Sequence, residues 1–272
     1  MGIVNVTPDS FSDGGHHADA TSALRHAEQL LREGAHILDI GGESTRPGSP
    51  PVDEAEELRR VLPVVQAAVP FGVPLSVDTY KPAVMRAALD AGADIVNDVW
   101  ALRQAGAEDA VAGHPSCGVC LMHMHRDPSS MQTAPMEGDV VPAVHAFLAD
   151  RGAALQAQGV AADRIVLDPG IGFGKTVEQN FHLLAHQRAA VPLPYAILAG
   201  WSRKSSLGSV TGRSVQDRMA ASIAAALLAV ERGAAVVRVH DVAATADALA
   251  ILRAVHHHNA PSPDSKRKET FP

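Results

Sequence analysis

Aromatic residues are scarce in this chain: six Phe, two Trp and two Tyr make up 4% of 272 positions. A core with so few rings has to be filled by Ala, Val, Leu and Ile, as expected when many helices pack closely on a buried sheet. Cysteine is scarcer still, at two, which excludes a disulfide framework and fits a reducing cytoplasm better than a secreted setting. Long apolar runs are missing. The longest, Met219 to Val230 with one serine in it, is too short to span a bilayer. The first ten residues lack the basic start and apolar stretch of a signal peptide, so the chain reads as soluble and cytoplasmic, with no membrane partner. A basic excess is absent too. With 23 Lys and Arg against 30 Asp and Glu the formal net charge is -7, which argues against a general nucleic-acid binder.

What is present is globular composition, 46% hydrophobic and 19% charged, in a length that allows one large domain with a sizeable core. Short, β-branched apolar runs at 2–6, 37–40, 74–79, 95–99, 119–124, 165–168, 195–199 and 236–240 alternate with stretches of helical period. The latter fall at 21–33, 53–69, 81–91, 104–112, 140–158, 177–190, 215–232 and 243–256. Gly34, Gly92, Gly159 and Gly233 stand where left-handed helix C-caps are wanted. Uniformly apolar strands are buried on both faces, and eight β-then-α units match an α/β fold of the single-domain (β/α)8 TIM-barrel type over residues 1–258. Residues 259–272, with Pro261, Pro263 and a Lys-Arg-Lys run, read as a disordered tail.

In such a barrel the reacting groups come from the C-terminal ends of the strands and the loops after them. Nearly every strand here ends in a polar residue: Asn5, Asp39 with Glu43, Thr45 and Arg46, Asp78, Asn97 and Asp98, His123 and His125, Asp168, Ser202 to Lys204, and Arg238 with His240. Any one of them alone reads equally well as a cap of the next helix or turn. Taken together, Asp78, Asn97 and Asp168 converge on the mouth, where two carboxylates and an amide suit a flat ring bearing N–H and amino donors. Arg46, Lys204, Arg238 and His240 add positive charge to the same place, which points to an anionic, phosphorylated substrate. Arg238 and His240 are two apart on one expected strand and so share a face, although Arg238 also reads as a structural ion-pair partner.

Other signals carry less. Gly170-Ile171-Gly172-Phe173-Gly174-Lys175-Thr176 invites a P-loop reading, but Pro169 stands where the motif needs glycine. Cys117 and Cys120 run into a strand, where core packing is expected. His123 and His125 lack further histidines at neighbouring strand ends to complete a zinc site, and His256 to His258 read as solvated.

Five segments carry a resemblance: Met1 to Gly15, Gly42-Glu43-Ser44-Thr45-Arg46-Pro47-Gly48, Asp168-Pro169-Gly170 with Gly172-Phe173-Gly174-Lys175, Ser202-Arg203-Lys204-Ser205, and Arg238-Val239-His240-Asp241. In this order they closely resemble the bacterial dihydropteroate synthases, from residue 1 to about 255. The resemblance implies a folate-pathway transferase that joins 6-hydroxymethyl-7,8-dihydropterin diphosphate to 4-aminobenzoate, with magnesium as cofactor and sulfonamides as inhibitors. It implies a pterin grip from Asp78, Asn97, Met122, Asp168 and Lys204, of which Lys204, Asp78 and Asp168 are the catalytic candidates. Asn5 is implied as the magnesium-linked residue, and Asn5, Arg46, Arg238 and His240 as diphosphate contacts. Phe11, Thr45, Pro47, Phe173 and Ser202 are implied on the aminobenzoate side, and a homodimer through the late helices. The family usually has residues ahead of the first strand, whereas this sequence starts inside it. Two other readings use the same ring grip, a pterin-binding methyltransferase barrel and a non-catalytic pterin-binding homologue. The former has no need of a diphosphate clamp.

Overall fold

The computed structural model describes residues 1–6, 15–44, 49–127, 131 and 133–259. Eight strands form one all-parallel sheet in sequence order: β1 (Gly2–Asn5), β2 (Leu38–Gly41), β3 (Leu75–Asp78), β4 (Ile95–Asp98), β5 (Gly118–Met122), β6 (Ile165–Asp168), β7 (Ala196–Ala199) and β8 (Ala234–Val237). A parallel bridge between Gly2 and Val239 brings the last strand back to the first, with Ile3 N–H donating to Val239 O at 3.1 Å. The sheet therefore closes, and the expected (β/α)8 barrel is the fold. No described helix is long and apolar enough to cross a membrane.

The helices lie between the strands as α1 (Gly15–Arg32), α2 (Glu54–Ala68), α3 (Pro82–Asp90), α4 (Ala107–Ala112), α5 (Val140–Ala157), α6 (Val177–Ala185), α7 (Gln187–Ala190), α8 (Ser205–Thr211), α9 (Met219–Glu231) and α10 (Val242–Asn259). Their starts are chemically marked. Asp53 caps α2 by accepting from Glu56 N–H at 2.7 Å, and Thr176 with Gln179 forms a reciprocal capping box on α6. All four expected C-cap glycines have positive φ, between 89° and 108°.

Several boundaries differ from the sequence reading. The helical stretch expected at 177–190 breaks at His186 into α6 and α7, and the one expected at 215–232 begins as a single tight turn, Val215–Asp217, before α9. Helix α8 was not expected, because its seven residues, SSLGSVT, carry no readable period. Strands β5 and β8 stop at Met122 and Val237, short of His123 and His240, whose chain segments turn to make the site. The tail residues beyond 259 lie outside the described residues.

One contiguous core joins the strands to the helices, built from small and branched side chains such as Val61, Val65, Leu75, Val77, Met85, Leu121 and Ala229. A second, smaller cluster of Val99, Met122, Met124, Met131 and Phe173 sits at the C-terminal mouth, with Tyr80 and Trp100 packed on it. Helix α5 shows how tight the packing is. A Cβ added at Gly152 would lie 2.6 Å from the ring of Tyr195. Helix propensity favours Ala over Gly by about 1 kcal/mol, while overpacking costs roughly 1–3 kcal/mol. The Gly152→Ala variant is expected to lose stability, with a melting temperature a few degrees lower; a rise would show that the ring yields.

Candidate active site

The strand order brings the polar ends together. In register, Gly41 of β2 lies beside Asp78 of β3, Asp78 beside Asn97 of β4, and Met122 of β5 beside Asp168 of β6. Arg238, one residue past β8, reaches across the barrel. Its Nε donates to Asp39 Oδ2 at 2.5 Å and its Nη2 to Asp78 Oδ2 at 2.7 Å, while Asn97 Nδ2 donates to the same Asp39 oxygen at 3.2 Å. Four strands, β2, β3, β4 and β8, thus meet around one guanidinium.

Burial sets the electrostatics. It pushes Asp78 up to about 7; Arg238 opposes this, and Asp39, Glu57 and Asp98 add to it. Asp168 is raised by burial as well, against the Gly170 N–H that its Oδ1 accepts at 2.7 Å. Burial also works against the charge of Arg238, but Asp39 and Asp78 outweigh it and hold its proton more firmly than usual. Lys204 sits at the N-cap of α8 with its Nζ 4.2 Å from the centre of the Phe173 ring. Burial lowers it to about 8, with Asp168 opposing.

The turn that delivers Lys204 is fixed from several sides. Arg203 adopts a left-handed φ of 59°, its N–H donates to Ser222 Oγ, its carbonyl accepts from Arg218 Nη1, and its side chain pairs with Asp241 at 2.6 Å. Ser202, expected on the aminobenzoate side, is 8% exposed and faces His240: its Oγ accepts the His240 N–H at 3.1 Å and shares a hydrogen bond with His240 Nδ1 at 2.9 Å. Arg238 and His240, expected on one strand face, lie past the end of β8 and hold different partners. Phe173 is 8% exposed in the mouth cluster, and Asn5 ends β1 half-buried. Phe11, Thr45, Arg46 and Pro47 lie outside the described residues.

Three groups went unassigned in the sequence. Asp39 is fully buried under the mouth. Lys81, ahead of α3, pairs with both Glu43 and Glu57, and Tyr80 donates to Glu43 at 3.2 Å, which ties down the start of the segment leading to Thr45. Lys175, suggestive of a phosphate ligand in sequence, instead turns inward. Its ammonium donates to Gly170 O at 2.8 Å, Phe173 O at 3.1 Å and His123 Nδ1 at 2.9 Å. Burial lowers Lys175 to about 7, and burial together with Lys175 lowers His123 to about 2, so that His123 stays neutral. The discounted cysteines are free and buried, as expected, and His256 to His258 are exposed.

The fold and the site define a (β/α)8 barrel enzyme whose mouth gathers acidic, amide and cationic side chains for a polar, anionic ligand. A family model described as pterin binding enzyme matches residues 1–240. A dihydropteroate synthase from Neisseria meningitidis serogroup C is 51% identical, over 92% of this chain and 89% of its own. The crystal structure of Burkholderia cenocepacia dihydropteroate synthase complexed with 7,8-dihydropteroate is similar at a TM-score of 0.88 and 54% identity, covering 96% of this chain and 92% of that one. The Xanthomonas albilineans dihydropteroate synthase with 4-aminobenzoic acid is similar at 0.88 and 54%, covering 94% and 92%. The chain belongs to the dihydropteroate synthase family.

The inward lysine gives a direct test of how the glycine-rich loop is held. Replacing Lys175 by Met removes these three hydrogen bonds from a charged donor, leaving the His123 ring nitrogen unpaired while the Gly170 and Phe173 carbonyls keep backbone N–H donors, at about 1–3 kcal/mol for each bond, offset in part by removing a buried charge. Urea unfolding of Lys175→Met is expected to show a loss of about 2–4 kcal/mol. Wild-type stability would mean that the ammonium does not anchor the loop.

Proposed function

We propose that the chain joins 6-hydroxymethyl-7,8-dihydropterin diphosphate to 4-aminobenzoate, giving 7,8-dihydropteroate and diphosphate, at the mouth of its barrel. The observation that carries this is the convergence of Asp78, Asn97 and Asp168 on Arg238 and Lys204 in one buried cluster. Carboxylates accept from the N–H and amino groups of a pterin edge, and the amide of Asn97 completes the match. Met122, 5% exposed, offers an apolar surface beside them.

In the reaction the aryl amine nitrogen forms a bond to the pterin methylene carbon as the C–O bond to diphosphate breaks, diphosphate leaves with the electron pair, and the nitrogen gives up one of its protons to water. The methylene becomes electron-poor in the transition state. Asp78 and Asp168 would stabilise positive charge that spreads into the ring, and Arg238 and His240 would meet the departing anion, a role the family resemblance also gives to Arg46, which lies outside the described residues. Lys204, over Phe173, holds the ring from the side on which the amine arrives. An aryl amine is neutral at pH 7, so the reaction requires no strong general base.

Magnesium suits this donor set. Among the described residues no group of three His, Cys, Asp or Glu side chains is placed to hold a metal. Mg2+ commonly takes one or two protein oxygens with waters and substrate phosphates, and the Asn5 amide oxygen at the end of β1 supplies such a ligand. When bound, the ion neutralises diphosphate charge. On the outer surface, Val210, Met219, Leu228 and Ile251 of α8, α9 and α10 are exposed, which supports a homodimer through the late helices, to be read by sedimentation.

A coupled assay should detect diphosphate release that needs both substrates; pterin binding without release would leave a non-catalytic homologue. Lys204→Ala is expected to lose more than a hundredfold in turnover, on the order of 3 kcal/mol. The pH profile follows from two groups. Asp78, raised to about 7, is protonated below that pH and can no longer accept as a carboxylate. Lys204, lowered to about 8, loses its charge above that pH. The kcat/KM for the pterin substrate should therefore fall on both sides of pH 7–8, and Asp78→Asn should remove the acid flank. A flat profile between pH 6 and 9 would contradict these assignments.

A further inference from the structure

We infer that Asp39 is a positioning residue that keeps Arg238 paired and aimed from beneath the mouth, so that Asp78 can leave the guanidinium for the pterin ring. The inference rests on the reading of the mouth as the pterin site.

The two carboxylates on Arg238 differ in access. Asp39 has no exposed side-chain surface, whereas Asp78 is 12% exposed. Only Asp78 can therefore be touched by a ligand, and a ligand that takes its Oδ2 takes it from Nη2 of Arg238. A buried cation stripped of its one partner is strongly penalised. The Asp39 bond to the neighbouring Nε, out of a ligand's reach, keeps the cation paired through that exchange.

The same Asp39 oxygen accepts from Asn97 Nδ2, which fixes that amide with its nitrogen turned inward. One carboxylate oxygen, Oδ2, thus sets the orientation of two residues assigned to the ligand, while Asp39 Oδ1 has no hydrogen-bond partner among the described residues. An asparagine at position 39 would keep the shape but remove the negative charge. Arg238 would then hold Asp78 as its single carboxylate, and the pterin would have to break that pair to bind.

The test is a cycle read by calorimetry with 6-hydroxymethylpterin, a ring without phosphates, on the wild type, Asp39→Asn, Arg238→Met and the double variant. Asp39→Asn should weaken ring binding tenfold or more, but change it less than threefold on the Arg238→Met background, where no cation is left to neutralise. The KM for 4-aminobenzoate should stay within threefold in Asp39→Asn, which a general loosening of the barrel would not allow. Wild-type affinity in Asp39→Asn, or an equal loss on both backgrounds, would overturn the inference. Should Asp39→Asn fail to fold, the double variant compared with Arg238→Met decides by the same threefold limit. Lack of pterin binding by the wild type would overturn the reading of the site itself, and this inference with it.

Discussion

A guanidinium enclosed by two carboxylates is the constraint on which the rest of this molecule turns. Arg238 follows the last strand, and its partners Asp39 and Asp78 stand on the second and third, so the ion cluster spans the barrel just where the sheet closes on itself. Charges this deep are tolerated only when each is matched. Matching them fixes the positions of β2, β3 and β8 relative to one another, and Asn97 extends the lock to β4. The binding site and the closure of the barrel are therefore one arrangement of atoms.

A second layer of support lies around the opposite half of the mouth. There the carbonyl-rich turn after β6 wraps an inward ammonium, that of Lys175, which joins the end of β5 at His123 to the loop bearing Phe173. Next to it, the Ser202–His240 and Arg203–Asp241 contacts tie the segment after β7 to the one after β8. Lys204 emerges from between these two supports. Burial brings its acid–base range and that of Asp78 close to neutrality from opposite directions, leaving a narrow interval in which one is a cation and the other an anion.

Most of the fold was legible in the sequence because a parallel barrel repeats one local message eight times, an apolar strand, a polar end and a helix, four times closed by a glycine. Element limits were less so. Seven residues of small polar character gave no sign of α8, and the end of β5 depends on His123 meeting a lysine 52 residues away. The candidate site shows the same division. Asp78, Asn97, Asp168, Lys204 and Arg238 could be picked out as polar ends of apolar runs. The role of Asp39 could not, since its meaning lies in a partner 199 positions along the chain. Lys175 shows a related limit: the P-loop reading of its glycine-rich stretch fails at Pro169, but only the folded turn shows the carbonyls that claim the ammonium.

The account stands or falls on where the pterin sits, and a crystal structure with 6-hydroxymethyl-7,8-dihydropterin diphosphate bound answers that most directly. It should show the ring edge bonded to Asp78, Asn97 and Asp168, Lys204 against the ring, the diphosphate beside Arg238 and His240, and Arg238 still joined to Asp39. A ring bound away from these residues would contradict it, as would an occupied site in which the Arg238–Asp78 bond persists and the ring edge meets neither aspartate.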